Sequence, residues 1–451
     1  MALMHTSTQP PARPARAPIS GAPPAVVELR PQTFDFDVAI VGLGYVGLPT
    51  ALAYHHAGSR VLALDISSAR LGAITGRSVD LIPRDHTRLD SALEDEAFTL
   101  TSDATQISRA QAVIVCVPTP VDRYLVPDLT LLRGACDAVV QHAVAGQLLM
   151  LTSTTYVGCT EDLLLGPVTR KGLVPGQDVF VAFSAERIDP GSETVPQEAV
   201  PRVVGGSTPA CLERASQVLS GYATTVHQVS SLGTAEMTKL LENTFRAVNI
   251  ALANEFADIC QSFGLDVTHV IDAASTKPYG YMPFLPGPGV GGHCIPCDPH
   301  YLLWQLRKDR IEAPVIAAAM QQIANRPAHV VDRIRQVLSE SGRSLLGARI
   351  LVMGIAYKPN VADLRESPAL EILQRLHQLG AAIGYVDPHV PSAVLEGGMR
   401  LIPVNDPASF RPTLVLLHTP HRETDLHWMS AGQLVLDATY QGTSTPNQVS
   451  L

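Results

Sequence analysis

The stretch FDFDVAIVGLGYVGLPTALAYHHAGSRVLALD, residues 34–65, contains two short apolar runs separated by a helix-like segment. The first run covers residues 38–41 and ends in glycines, and the second covers residues 61–64 and ends at Asp65. Short apolar runs bounded by glycine are typical of buried strands. The stretch therefore predicts a strand, a helix and a second strand, the unit from which parallel sheets with helices on both faces are built.

Three glycines between the first strand and the helix, Gly42, Gly44 and Gly47, fit the pattern G-x-G-x-x-G. In a dinucleotide-binding turn the first allows a tight turn, the second lets the pyrophosphate approach the backbone, and the third lets the helix pack closely. Asp65 follows at the spacing of the acid that binds ribose hydroxyls, and it would repel a 2'-phosphate. The pattern predicts NAD rather than NADP, and a doubly wound sheet that binds no dinucleotide is the alternative.

Further strand-like runs lie at residues 112–120, 148–155 and 179–191, and they extend the predicted parallel sheet to about residue 225. After a helical stretch to about residue 325, a strand, loop, helix and strand recur at 349–354, 368–379 and 383–387. This second unit has Gly354 but lacks the glycine triplet, so we predict no second dinucleotide there.

The loop of the second unit carries Lys358 and Arg365 at the carboxyl end of its first strand. Open α/β sheets bind ligands at that edge, and cations there suit a phosphorylated substrate. A solvated loop is the alternative reading.

The segment 234–263 contains no proline or glycine before Gly264, which predicts one long helix. It is apolar around much of its girth, so we expect burial, in part against a second copy of the chain. Lys239 and Asn243 are four residues apart and therefore share one face. They are either a solvated pair or, because they lie among core positions, functional groups.

Composition excludes several classes of protein. The net charge of -9 gives no basic footprint for nucleic acid or for an anionic membrane, and no apolar run is long enough to span a bilayer. The seven irregularly spaced cysteines favour a reducing compartment over a disulfide framework. We expect a cytoplasmic protein whose residues 1–34, rich in Pro, Ala and Arg, form a flexible tail; a transit peptide is the alternative for that tail.

The stretch GPGVGGHCIPCDPHYLLW, residues 287–304, has three possible functional interpretations. Zinc binding is disfavoured because no second Cys or His pair with ligand spacing occurs elsewhere. A redox pair would be expected at a helix N-terminus, whereas a turn-rich loop precedes these cysteines. The favoured reading is one nucleophilic thiol beside Asp298, on a glycine-rich loop that lets substrate approach closely.

These motifs together resemble the UDP-glucose/GDP-mannose dehydrogenase family over residues 36–440. The resemblance rests on VGLGYVGLPTA, VCVPTP, STTYVG, FSAERIDPG, AEMTKLLENTFRAVNIALANE, the GPGVGGHCIP loop and GIAYKPNVADLRESPALE. It implies two Rossmann-like doubly wound α/β domains joined by a central helical domain whose long helix builds a homodimer. The implied boundaries are 35–225 for the NAD domain, 226–325 for the central domain and 326–445 for the UDP-sugar domain.

The resemblance also implies roles for individual residues. Cys294 corresponds to the nucleophile, and Asp298 to an acid that assists water or proton transfer. Lys239 and Asn243 correspond to oxyanion-stabilising groups, Glu186 to the glutamate of thioester hydrolysis, and Thr154 to a hydroxyl that holds the water. The implied cofactor contacts are Gly42, Gly44, Tyr45, Val46, Gly47, Asp65, Arg70 and Thr119, and the implied substrate contacts are Lys358, Arg365, Phe284 and Gly291; no metal is implied.

Family members often have lysine at Arg202, and an apolar residue or lysine at Cys297, where a second thiol could trap the first as a disulfide. The sequence of the long helix and the catalytic loop is most similar to the UDP-N-acetylglucosamine 6-dehydrogenase branch. UDP-glucose, UDP-N-acetylgalactosamine and UDP-N-acetylmannosamine remain alternative substrates. A non-catalytic UDP-sugar or NAD sensor is an alternative of another class, disfavoured because Cys294, Lys239, Asn243 and Glu186 are all present.

Overall fold

The computed structural model describes residues 33–187, 195–292, 294–441 and 448–451. The predicted tail therefore lies almost wholly outside the described residues, as do His293 and the end of the FSAERIDPG stretch. Within the described ranges, no helix has both the length and the apolar run needed to cross a bilayer.

The first sheet has eight strands in the order β3-β2-β1-β4-β5-β6-β7-β8. Its strands are β1 Phe36–Val41, β2 Val61–Leu64, β3 Phe98–Thr101, β4 Ala110–Val115, β5 Leu148–Leu151, β6 Phe180–Phe183, β7 Arg202–Gly206 and β8 Val226–Val229. All neighbours are parallel except β6 and β7, which pair antiparallel. The expectation of a parallel sheet throughout is wrong at this point. Parallel neighbours need a crossover, usually a helix, and the described part of this connection contains only the short 3-10 turn Gln197–Ala199.

Helices cover both faces of this sheet, as predicted for a doubly wound fold. They are α1 Gly47–His56, α2 Ser68–Thr75, α3 Pro83–Leu93, α4 Thr130–His142, α5 Gly166–Arg170 and α6 Pro209–Leu219. Successive side chains of β1 point to opposite faces, so Ala39 and Val41 join one core while Val38 and Ile40 join the other. The predicted α/β class is confirmed.

The middle of the chain is helical: α7 Leu232–Ser262, α8 Val267–Ser275, α9 Asp298–Leu306 and α10 Pro314–Glu340. Ser231 caps α7 by accepting a hydrogen bond from the Thr234 N–H at 3.1 Å. Gly264, in the left-handed conformation at φ +68°, follows the end of the helix. Helix α10 runs continuously through residues 325 and 326, where we expected a domain boundary.

The second sheet is smaller and fully parallel, with the order β10-β9-β13-β14-β15. Its strands are β9 Arg349–Met353, β10 Ala382–Val386, β13 Leu414–Leu417, β14 Leu434–Asp437 and β15 Gln448–Ser450. The short pair β11 Ala393–Val394 and β12 Arg400–Leu401 is antiparallel, and helices α11 Pro368–Gln378 and α12 Pro407–Phe410 complete this part. The recurrence of strand, loop, helix and strand predicted after residue 349 is present.

Candidate active site

The glycine-rich turn after β1 leaves space at one of its three glycines. Gly42 has φ +91°, and a Cβ on Gly47 would lie 1.8 Å from the Gly42 carbonyl oxygen. A Cβ on Gly44 would meet nothing within 4 Å. The outer two glycines are therefore required by the protein itself, whereas the middle one faces open space beside the start of α1. This arrangement fits a pyrophosphate approaching a helix N-terminus.

Asp65 and Arg70 both hydrogen-bond to the backbone of Leu43 in this turn. Asp65 Oδ2 accepts a hydrogen bond from the Leu43 N–H at 2.8 Å, and Arg70 Nε donates to the Leu43 carbonyl oxygen at 2.7 Å. The second carboxylate oxygen of Asp65 accepts from the Ser67 N–H at 2.9 Å. Because each carboxylate oxygen can accept more than one hydrogen bond and Asp65 is only half-buried, it keeps acceptor capacity for ribose hydroxyls.

The carboxyl ends of β4 and β5 bring Thr119 and Thr154 together. Thr119 Oγ1 donates to the Thr154 carbonyl oxygen at 2.8 Å, and the Tyr301 hydroxyl of α9 donates to the Thr119 carbonyl oxygen at 3.1 Å. Helix α9 is therefore joined to the edge of the first sheet where parallel sheets bind ligands.

Tyr45 and Val46 lie in the turn itself, with Val46 at the N-cap of α1. The Tyr45 ring packs against the Arg365 guanidinium at 4.2 Å, so the turn touches the second doubly wound unit. Such a contact is a cation–π interaction.

Lys239 and Asn243 are both buried on the face of α7 that meets α9. The Asn243 amide donates to a carboxylate oxygen of Asp298, the first residue of α9. The shared face predicted from their spacing is present, and it points into the protein rather than into solvent.

The two cysteines of the 287–304 stretch have different surroundings. Cys294 is exposed, whereas Cys297 is buried and precedes α9 as its N-cap residue. The N–H groups of Cys297 and Asp298 both point to the Cys294 carbonyl oxygen, at 3.3 and 2.8 Å. A loop precedes the cysteines, as the sequence indicates, but Cys297 also lies at the N-terminus of α9, the setting that a redox pair would need.

Burial sets the protonation of this cluster. It raises the pKa of Asp298 to about 7, and the Lys239 charge and the Asn243 hydrogen bond oppose that rise only in part. Neighbouring protein atoms partly exclude water from the Cys294 thiol. This desolvation, together with the Asp298 charge, raises the pKa of Cys294 above its ordinary value. Desolvation also raises the pKa of Cys297 to about 12, so Cys297 is a protonated thiol at neutral pH.

The glycines before Cys294 let the second doubly wound unit pack closely against this loop. A Cβ on Gly291 would lie 2.5 Å from Tyr357 Cβ, and one on Gly289 would lie 2.7 Å from Pro368 Cγ. A Cβ on Gly292 would lie 2.9 Å from Tyr357 Cε2, and its N–H donates to the Arg365 carbonyl oxygen at 2.9 Å. The second doubly wound unit therefore fills the space where a side chain at any of the three would lie, and the predicted approach of substrate to this loop stays a prediction.

Glu186 follows β6 and is ion-paired with the fully buried Arg202 of β7. The Thr50 hydroxyl of α1 lies 3.5 Å from its other carboxylate oxygen. The neighbouring Arg187 pairs with Glu242 of α7 at 2.7 Å. The antiparallel pairing of β6 with β7 thus brings Arg202 to the carboxylate that the resemblance links to hydrolysis.

Two of the predicted substrate residues lie in the loop after β9. Arg365 is half-exposed and pairs with Asp363 at 2.6 Å, and its charge opposes part of the rise in the pKa of Cys294 that desolvation causes. Lys358 is half-buried in the same loop.

The third predicted substrate residue, Phe284, packs edge-on against Phe245 with ring centroids 5.8 Å apart. Phe245 comes two residues after Asn243, on the other side of α7. The structure therefore joins Phe284 to the side of α7 away from Asn243.

Two residues near the site escaped the sequence reasoning. Buried Glu236, one turn before Lys239, accepts hydrogen bonds from the Gly158 N–H, the Thr160 N–H and the Thr160 hydroxyl at 2.6, 2.9 and 2.7 Å. Arg246, exposed one turn after Asn243, opposes by its charge part of the rise in the pKa of Cys294 that desolvation causes. A charged residue at every third or fourth position of an apolar helix was the signal for both. Among the described side chains no three His, Cys, Asp or Glu groups lie close enough to hold a metal ion.

Three models of the UDP-glucose/GDP-mannose dehydrogenase family match the chain along most of its length: the NAD binding domain at residues 36–223, the central domain at 233–325 and the UDP binding domain at 351–441. The chain belongs to this family. It is an NAD-dependent nucleotide-sugar dehydrogenase.

Relatives of this dehydrogenase are similar over most of their own length. UDP-N-acetyl-D-glucosamine 6-dehydrogenase of Pseudomonas aeruginosa is 33% identical over 86% of this chain and 91% of its own. UDP-N-acetyl-D-mannosamine dehydrogenase of Escherichia coli K12 is 34% identical over 76% and 82%. The solved UDP-D-ManNAc dehydrogenase of Pyrococcus horikoshii superposes with a TM-score of 0.83 at 29% identity, covering 92% of this chain and 98% of that one.

Proposed function

We propose that this dehydrogenase oxidises the C6 hydroxymethyl group of a UDP-sugar to the uronic acid through a thiohemiacetal and a thioester on Cys294. The observation that carries the proposal is the position of the exposed Cys294 thiol. The charges of Asp298, Lys239 and Arg365 all act on this thiol, and Asn243 hydrogen-bonds to Asp298.

NAD, when bound at the glycine turn, supplies the hydride acceptor for both two-electron oxidations. Cys294 loses its proton and attacks the C6 aldehyde, which holds the intermediate on the protein until the second oxidation. Asp298 is suited to exchange that proton because its pKa, raised by burial to about 7, lies near neutral pH. The Lys239 ammonium and the Asn243 amide stabilise the oxyanions of addition and hydrolysis.

Hydrolysis of the thioester needs a positioned water molecule. We assign the positioning of this water to Glu186 and Thr154. Arg202 keeps Glu186 in place through their ion pair. The carboxylate product cannot return to a thioester without activation, so this step makes the sequence irreversible. Cys297 has no assigned chemical step, in keeping with its burial and raised pKa.

Lys358 and Arg365 are the proposed cations for the UDP part of the substrate. We favour UDP-N-acetylglucosamine because the sequence of the long helix and the catalytic loop is most similar to the UDP-N-acetylglucosamine 6-dehydrogenase branch of the family. The substrates named for its relatives include both UDP-N-acetylglucosamine and UDP-N-acetylmannosamine. UDP-N-acetylmannosamine, UDP-N-acetylgalactosamine and UDP-glucose are the alternative substrates. We also propose a cytoplasmic location, which fits a reduced thiol nucleophile.

A homodimer through α7 is the proposed assembly. Large apolar side chains form an exposed stripe along the side of this helix away from Asn243: Leu241, Phe245, Leu252, Phe256, Ile259 and Phe263, each at least 40% exposed. Burying such a stripe against a second copy removes it from water. Light scattering at micromolar protein should give twice the chain mass, and a monomer would contradict this assembly.

The reaction is tested by mixing purified protein with NAD and each of the four UDP-sugars while absorbance of NADH is followed. We expect two NADH per sugar consumed and a uronic acid as product. Cys294→Ser should block turnover, and the matched Cys297→Ala should stay active. One NADH per sugar with free aldehyde, or an active Cys294→Ser beside an inactive Cys297→Ala, overturns the proposal.

A further inference from the structure

A buried acid and a buried histidine lie beneath the Lys358 loop of the second unit. Asp387 follows β10, and His421 lies in the loop after β13. Both side chains are 0% exposed, and His421 Nε2 is 3.0 Å from Asp387 Oδ2. Neither residue belongs to the chemistry proposed above, so the pair needs a separate explanation.

The two side chains hold three backbone N–H groups of one short segment. Asp387 Oδ2 accepts from the Ile355 N–H at 2.8 Å and the Ala356 N–H at 3.2 Å. His421 Nδ1 accepts from the Asn360 N–H at 2.9 Å. Since a backbone N–H can only donate, Nδ1 is the unprotonated ring nitrogen and Nε2 donates to the carboxylate.

The segment between these anchors contains Lys358. Its beginning, at 355 and 356, is fixed by Asp387, and its end, at 360, is fixed by His421. The other Asp387 oxygen accepts from the His389 N–H at 2.9 Å and the Val390 N–H at 3.1 Å. With both oxygens engaged and no solvent access, Asp387 is closed to direct contact with a ligand.

We propose that Asp387 and His421 are positioning residues for the nucleotide end of the substrate, because together they fix the segment that carries Lys358. The inference rests on the proposed function in taking Lys358 as a contact of the UDP group. A preformed segment gives up no conformational freedom when the nucleotide binds, and this raises affinity.

Two substitutions at one position separate the two hydrogen bonds of the ring. The amide of His421→Asn reaches the place of Nδ1 and can accept from the Asn360 N–H, while the bond to Asp387 is lost. The amide of His421→Gln reaches the place of Nε2 and can donate to Asp387, while the Asn360 N–H is left without its acceptor. A purely structural role predicts similar losses for both variants.

Binding of UDP to the full-length chain is measured by calorimetry, with NADH binding by fluorescence as the internal control. We expect His421→Gln to weaken UDP binding about tenfold and His421→Asn to change it about twofold at most. NADH binding should stay within about twofold in both. Equal losses of UDP affinity in the two variants, or none in either, overturn the inference while leaving the proposed function intact. Failure of the unmodified chain to bind UDP overturns both.

Hydrogen exchange on the unmodified chain keeps the test independent of variant folding. The amides of residues 355, 356 and 360 should be protected before any UDP is added. If the Asn360 amide exchanges as an open loop does and becomes protected only with UDP, the ligand rather than the buried pair orders the segment, and the inference is wrong.

Discussion

The two doubly wound units begin in the same way. Gly42 after β1 and Gly354 after β9 have φ +91° and +78°, and their N–H groups donate to Leu64 and Val386 of the next strand at 2.8 and 2.7 Å. In each unit the residue after the glycine donates its N–H to an acid that follows the second strand, Asp65 or Asp387, at 2.8 Å. One backbone framework therefore serves both units.

The units differ in what remains open above that framework. In the first, α1 starts at Gly47, Gly44 faces empty space and Asp65 is half-buried. In the second, α11 starts only at Pro368 and the carboxylate of Asp387 is enclosed by His421. Access to the acid and to the helix start, not the strand arrangement, therefore decides which unit can bind a dinucleotide.

The largest expected effect comes from the glycines of the first unit. In Gly47→Ala the new methyl group would lie 1.8 Å from the Gly42 oxygen, so we expect destabilisation of more than about 3 kcal/mol and loss of activity. The matched Gly44→Ala should keep the melting temperature but raise the KM for NAD at least about tenfold, because its methyl occupies only the open space. A lowered melting temperature with unchanged KM in Gly44→Ala would contradict the different roles of the two glycines.

The acids of the two units should differ in their effect on cofactor choice. Asp65→Ala should reduce the preference for NAD over NADP about 100-fold, because it removes both a ribose acceptor and a charge that repels phosphate. Asp387→Asn should leave that preference unchanged, since Asp387 is enclosed. The check is kcat/KM with each cofactor, and an unaltered ratio in Asp65→Ala contradicts the assignment.

Asp298, buried at the start of α9, gives a prediction about how stability depends on pH. Its pKa is raised by burial from 3.8 to about 7, so the folded protein binds this proton more tightly than the unfolded chain does. The stabilising contribution of that proton is complete below pH 3.8 and is lost as pH rises through 7. Asp298→Asn should therefore gain about 2 kcal/mol relative to wild type between pH 5.5 and pH 8. Denaturant unfolding at both pH values measures this gain, and a constant difference between variant and wild type contradicts the raised pKa.

The smallest expected effect is at the contact between the units. Tyr45→Leu should weaken UDP binding about fivefold although Tyr45 belongs to the NAD unit, because the Arg365 guanidinium loses the face of the ring. Tyr45→Phe keeps the ring and should stay within about twofold. Calorimetry with UDP alone is the measurement, and a Phe variant as weak as the Leu variant would assign the effect to the hydroxyl instead.

The features predicted from the sequence are those that depend on residues close together in the chain. The glycine triplet predicted the turn, and the break at Gly264 predicted the end of α7 to within two residues. The spacing of Lys239 and Asn243 predicted their shared face. The antiparallel β7 and the bond between Asp387 and His421 were not predicted, because pairing partners far apart in the chain leave no periodic signal. For the same reason the packing of Gly291 on Tyr357 was not predicted. The catalytic roles of the site residues remain predictions.

The most direct test of Cys294 as the nucleophile is mass analysis of Glu186→Gln after incubation with NAD and the UDP-sugar. If hydrolysis depends on Glu186, the chain should gain the mass of a UDP-linked uronyl group, and peptide mapping should place it on Cys294. The same adduct should form when Cys297→Ala is added. An adduct on Cys297, or turnover with no adduct on any cysteine, would contradict the account.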